Sequence, residues 1–254
     1  MEDDKIFEIV EESNEKPELK VATFNICCTR DKEEITETFD AILKCKPDVV
    51  AMQGLTKQNC DAVFRIMKQQ GYSFSRFDQT GMPREDFETL FTRNEIPVLK
   101  KEYKTFIRSQ QNKGLSMYLI TAGAQTQHPI NVWIFTGKLE EDASGNSIRK
   151  TQIIEIDAER SKRNQTSVIF AGDTSIPSWQ SSDSSFKTPS GWLDAWREKG
   201  TSQNEKTSLY DRMDQIWFSS GGERPIEITD FGLIRISPSE DVRAGVCAFF
   251  TIEI

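Results

Sequence analysis

The chain has 254 residues, is 37 % hydrophobic and carries a formal charge of −8. That length suits one large domain or two small ones, and no apolar run approaches the roughly 18 residues that cross a bilayer. The charge argues against broad, nonspecific phosphate binding, though not against a local basic groove.

Residues 1–18 hold eight acids, two lysines and a small apolar patch of Ile6, Phe7, Ile9 and Val10. They read as an acidic, flexible leader, or as a short docking peptide that adds a strand to a partner's sheet edge. An acidic start is neither a secretory signal nor a mitochondrial presequence, so a nuclear or cytoplasmic location is expected.

From residue 19 the pattern becomes regular. LKVATFNI alternates and predicts a strand. Asp31 to Lys46 predicts a helix with Ile35, Phe39, Ile42 and Leu43 on one face. DVVAMQ predicts a strand that runs out at Gln53-Gly54. Thr56 then caps a second helix with Val63, Ile66 and Met67 inward. YSFSRF, FETLFTR, GLSMYLITA and INVWIFTG follow as strands, the last two joined by a hairpin turn through AQTQHP. A helix is predicted at 147–160, then the buried strand SVIFAG and a Ser-rich loop at 177–191. A short helix in WLDAWREKG and the strands MDQIWFSS, FGLIRI and VCAFFTIEI complete the chain. Strands alternating with few helices predict an α/β fold over 19–254, with mixed sheets stacked face to face.

The five cysteines, at 27, 28, 45, 60 and 247, show no zinc spacing and read as reduced thiols. His128 is the only histidine, so an enzyme that uses imidazole twice is excluded. Of the tryptophans, Trp192 and Trp196 lie at helical spacing and read as core. Trp179, in the Ser-rich loop, reads as surface.

Four strand ends carry residues of interest: Asn25, Gln53-Gly54, Lys138 and Asp173. The loop PSED before the last strand is a fifth such place. Strand ends converging on one rim are a common way to assemble a site. Each residue alone is as well explained by a turn or a solvated charge, so only the set is informative.

The segments VATFNI, KPDVVAMQ, VIFAGDTS, YDRMDQIWFSS and PSED, in that order, resemble the endonuclease/exonuclease/phosphatase superfamily. The resemblance is greatest to its tyrosyl-DNA phosphodiesterase 2 branch, and it covers residues 19–254. It implies a four-layer α/β sandwich of two stacked mixed β-sheets flanked by helices. It also implies metal-dependent phosphodiester hydrolysis, usually with magnesium, since a hard cation takes carboxylate oxygen.

Carried over position by position, the resemblance gives a degenerate site. Asn25, Asp173, Arg212 and Asp214 match, and Gln53 precedes the key position. The metal-binding Glu falls at Gly54, a His at Lys138, an Asn at Ser175, and the terminal Asp-His pair at Glu240-Asp241. The expectation is therefore a vestigial site with no catalytic residues, no bound metal and no cofactor, in a module that binds a protein partner. Lys138 is expected to pair with Glu240 or Asp241. Two alternatives stand. One is a divergent phosphodiesterase, acting on nucleic acid or a 5′-tyrosyl-DNA adduct, that recruits Glu140, Glu141 or Asp142 as a ligand. The other is a noncatalytic nucleic-acid binder, against which Arg160, Lys162 and Arg163 read as a solvated helix end.

Overall fold

A computed structural model describes residues 16–26, 32–75, 86–109, 112–140, 146–176, 188–200, 213–222, 225–235 and 244–253. Its strands are β1 (Glu18–Asn25), β2 (Val49–Thr56), β3 (Tyr72–Ser75), β4 (Asp86–Arg93), β5 (Val98–Thr105), β6 (Gly114–Ala122), β7 (Ile130–Thr136), β8 (Val168–Asp173), β9 (Leu193–Asp194), β10 (Asp214–Ser219), β11 (Ile226–Arg235) and β12 (Ala244–Ile252). The helices are α1 (Lys32–Lys44), α2 (Cys60–Gln69), α3 (Asn146–Ser161) and α4 (Ala195–Lys199).

The strands form two six-stranded sheets, ordered β11-β12-β1-β2-β4-β3 and β5-β6-β7-β8-β10-β9. Both are mixed: β1 runs parallel to β2 and β7 parallel to β8, while the other pairings are antiparallel. Leu19, Val21, Val49, Ala51, Leu90, Ile134, Ile169 and Ile216 belong to the core between the sheets. Ile35, Phe39 and Ile42 of α1 and Val63 and Met67 of α2 cover the outer face of the first sheet. Ile153 and Ile156 of α3 pack with Trp133, Phe135, Phe170 and Trp217 on the second. Four layers result, as the strand alternation and its resemblance predict.

The expected elements form, with four differences. Pro17 is buried, Ile252 N–H donates to its carbonyl, and β1 opens at Glu18, so the domain begins within the segment read as leader. Residues 1–15 lie outside the described residues. Thr56 ends β2 rather than capping α2; the cap position is Asn59, whose Oδ1 accepts from Thr56 N–H at 2.8 Å. Strand β5, VLKKEYKT, has no counterpart in the sequence reading: it is an edge strand whose lysines mask any alternation.

The fourth difference concerns the basic end of α3. Arg163 is not solvated. Its guanidinium lies over the Trp133 ring, 4.5 Å from the centroid, and pairs with Glu102 and Glu159. Lys104 and Lys162 also reach Glu159, at 3.1 and 2.7 Å. Arg160 pairs with Asp157 at 2.9 Å and lies over Trp192. Arg163 and Lys104 thus fasten α3 to β5 and β7.

Candidate active site

At one end of the sandwich, six rows of side chains facing the opposite sheet turn from apolar to polar. In β1 the row runs Leu19, Val21, Thr23, Asn25, and in β2 it runs Val49, Ala51, Gln53. Strand β4 runs the other way and gives Leu90, Glu88, Asp86. In the second sheet, β7 gives Val132, Ile134, Thr136 and then Lys138. Strand β8 gives Ile169, Ala171, Asp173, and β10 gives Phe218, Ile216, Asp214. Period-two alternation thus assembles a polar rim from residues far apart in the chain.

Asp173 lies at its centre, only 1 % exposed. Asn25 Nδ2 donates to its Oδ2 across the sheets at 2.5 Å. Its Oδ1 accepts from the backbone N–H of Ser175 at 2.8 Å and from Ser175 Oγ at 3.2 Å. Ser175 holds a positive φ of 48°, a region that Asn or Gly enters more readily than Ser. Arg149 Nη1 donates to the Ser175 carbonyl at 2.7 Å, pinning this turn to α3. Asp214 is the register partner of Asp173, so their carboxylates stand on neighbouring strands on the same face.

Lys138 is buried and bridges to Asp173 in the parallel ladder. This close approach requires Gly172, where a Cβ would meet the Gly137 carbonyl oxygen at 2.4 Å. The Lys138 ammonium pairs with Asp86 of the opposite sheet at 4.0 Å. Its expected partners, Glu240 and Asp241, lie outside the described residues, as do Arg212, Glu141, Asp142 and Trp179.

Gln53 and Gly54 correct the reading of β2. The strand does not run out there but continues to Thr56. Met52 pairs with Thr89 and Leu55 with Phe87, so Gln53 and Gly54 together oppose Glu88 in a β-bulge. Gly54 has φ 72°, which a residue with a Cβ adopts only at a cost. Gln53 points into the core: its Nε2 donates to Thr23 Oγ1 at 3.0 Å and to Thr136 Oγ1 at 2.9 Å. It joins the sheets rather than facing a ligand.

Glu140 is not poised beside Asp173. It is buried, accepts from Ser109 Oγ at 2.7 Å, and its N–H donates to Gln152 Oε1. The sequence reading passed over two acids of β4, Asp86 and Glu88, the latter buried opposite the bulge on the face that looks toward Tyr118. Burial, and less strongly the Glu88 charge, push the Tyr118 hydroxyl up, while Tyr118 donates across the sheets to the Ser75 carbonyl. The signal for Glu88 was its parity with Leu90 in FETLFTR, read toward the same rim as Asp173.

The rim suits a magnesium ion poorly. Gly54 offers no ligand, both oxygens of Asp173 accept from protein donors, and an ammonium stands in the row. Among the described residues, no group of three or more His, Cys, Asp or Glu side chains is spaced to hold a metal. None of their helices is long and apolar enough to cross a membrane.

No family profile and no curated protein matches the sequence. Solved structures do. A humanized D. rerio TDP2 carrying 14 mutations superposes with a TM-score of 0.74 at 19 % identity, over 92 % of this chain and 99 % of that one. TDP2 from C. elegans gives 0.72 at 17 %, over 92 % and 75 %. The catalytic domain of human Nocturnin with bound sulfate gives 0.70 at 14 %, over 94 % and 96 %. Taken with the two mixed sheets and the polar rim between them, these likenesses establish that the chain has the endonuclease/exonuclease/phosphatase fold.

Proposed function

We propose that this protein is a catalytically inactive, TDP2-like member of its fold that works as a binding module, with a protein as its partner. The observation that carries the reading is Lys138, buried in register beside Asp173, whose ammonium pairs with Asp86 across the sheets. An ammonium paired with a rim carboxylate supplies part of the charge balance that a divalent ion would otherwise provide. Gly54 removes a carboxylate from the same rim, and Asp173 spends both oxygens on Asn25 and Ser175. The Asp173 cluster then serves to hold the two sheets together.

A protein partner is favoured over nucleic acid by charge. The net charge is −8, and the basic cluster of α3 is engaged within the domain by Glu102, Asp157 and Glu159. Calorimetric titration with magnesium, manganese and calcium tests the proposal: no binding at millimolar metal is expected, and saturable binding at lower concentration would overturn it.

A second reading is a metal-dependent phosphodiesterase with a rearranged ligand set. Glu88 favours it, because this buried acid lies opposite the bulge that contains Gly54. In that case metal binding is present in the same titration and is lost in Glu88→Gln.

A further inference from the structure

Among the described residues the two sheets end in the edge strands β3, β5, β9 and β11. Strands β3 and β9 are four and two residues long. Strand β11 carries Glu227 and Asp230. Strand β5 has eight residues, and its one neighbour among the described strands is β6. It is the basic edge: Lys100 and Lys101 are exposed, and Arg108 is exposed just beyond its end. The register puts lysine on both of its faces. Lys101 stands beside Tyr118 on the inner face, and Lys100 beside Leu119 on the outer. Lys100 pairs with Glu102, an exposed contact of little worth that a further acid can share. Leu99 and Ile107, near the two ends of the strand, are among the few large apolar side chains that are exposed.

The chain enters the domain beside the head of this strand. Pro17 packs so closely on the turn after β6 that a Cβ on Gly123 would meet the Pro17 Cβ at 2.8 Å. Two residues before that turn residue, Thr121 N–H donates to the carbonyl of Pro97, which precedes β5. The segment that leads to Pro17 is acidic: residues 1–12 hold six acids and one lysine, with Ile6, Phe7, Ile9 and Val10 among them.

We infer that residues 5–12, KIFEIVEE, add to β5 of their own domain as an antiparallel strand. Direction and length follow from the entry point. A strand that leads into Pro17 runs toward the Val98 end of β5, opposite to β5 itself. Its eight residues match the eight of β5. Residues 13–16 make the connection. Four residues reach about 13 Å, and a strand outside β5 stands two spacings, about 10 Å, from β6. Alternation gives each face of the segment an acid, Glu8 with Ile6 and Val10 on one, Glu11 with Phe7 and Ile9 on the other. Each face therefore brings an acid to a lysine of β5 and adds apolar surface beside it. Lysines on an edge ordinarily discourage a further strand, and an acidic strand is the kind that they favour. The acids of β11 repel the same segment. This inference is independent of the reading of the rim.

The test uses the whole chain. Hydrogen exchange read by mass spectrometry should show the amides of residues 5–12 slowed about tenfold or more relative to the free peptide of that sequence. A carbodiimide, which joins amines and carboxylates in contact, should link Glu8, Glu11 or Glu12 to the lysines of β5. The double variant Ile9→Pro/Val10→Pro probes the pairing. Neighbouring N–H groups point to opposite sides of a strand, so one of the two prolines removes a bond to β5. The variant should lose both the protection and the links, with faster exchange in residues 98–105 and none of this change in β11. If it fails to fold, the wild-type exchange and links still decide. Three results would each overturn the inference. They are exchange of residues 5–12 at the free-peptide rate, links from these acids to lysines outside β5, and links between labelled and unlabelled copies in a mixed ¹⁵N sample, which place the segment on a second copy.

Discussion

Gly54→Glu puts a carboxylate where the resemblance places one, and the structure predicts that it fails to restore a site. At φ 72° a residue with a Cβ costs about 1–2 kcal/mol. The new side chain would enter a buried bulge opposite Glu88, on a rim that also holds Asp86, Asp173 and Asp214. Adding a poorly solvated like charge there costs about 2 kcal/mol or more. The sum is about 3–4 kcal/mol, or a melting temperature lower by roughly 6–16 °C for a domain of this size. Gly54→Ala isolates the backbone share and should fall by roughly 2–8 °C. Thermal unfolding with and without magnesium reads both, alongside phosphodiesterase turnover. If Gly54→Glu melts like the wild type and gains magnesium binding and turnover, the bulge is not a fixed feature and the reasoning fails.

Other substitutions probe the same rim and its supports. Asp173→Ala removes an acceptor from the buried Asn25 amide and from the Ser175 N–H, so it should cost about 2–4 kcal/mol by urea denaturation. Lys138→Met should lower the melting temperature, and millimolar magnesium should recover part of the loss, whereas wild type should not respond. For Glu159, burial pushes the carboxyl up, but donation from Lys162, Arg163 and Lys104 outweighs it and holds the group at about 2. Its folded value lies below its ordinary value of 4.5, so the unfolded chain binds the extra proton between these limits. The associated stability, about 3 kcal/mol, is complete above pH 4.5 and is lost as pH falls toward 2. Glu159→Gln should flatten the urea midpoint over that window and lower it at neutral pH. Arg163→Ala should destabilise the domain through lost pairing and stacking, yet leave retention on single-stranded DNA unchanged at any salt.

The fold was legible because its strands are dense in apolar residues and bounded by turns. Val21 marks a core-facing position by alternation, and Val49, Ile134 and Ile169 lie in short runs apolar on both faces. Strand β5 was not, because an edge strand exposing Lys100 and Lys101 has no apolar face to report. Arg163 read as solvated because a helix end rich in cations looks the same whether water or Glu102, Glu159 and Trp133 surround it. At the rim, Asn25, Lys138 and Asp173 were found from strand tips that lead out of the sheet. Glu88 and Asp86 were missed because β4 enters the rim at its start, so their signal lies before the apolar residues instead of after them. Gly54 was identified by position. Its bulge and positive φ depend on the β4 pairing, which a single strand's sequence does not carry.

The measurement that tests the account most directly is turnover of a 5′-tyrosyl-DNA substrate and of a nitrophenyl phosphodiester with magnesium or manganese. The account predicts rates indistinguishable from buffer for wild type, Asp173→Asn and Glu88→Gln alike. Turnover by wild type that disappears in Asp173→Asn would contradict it, and its loss in Glu88→Gln as well would point to the rearranged metal site.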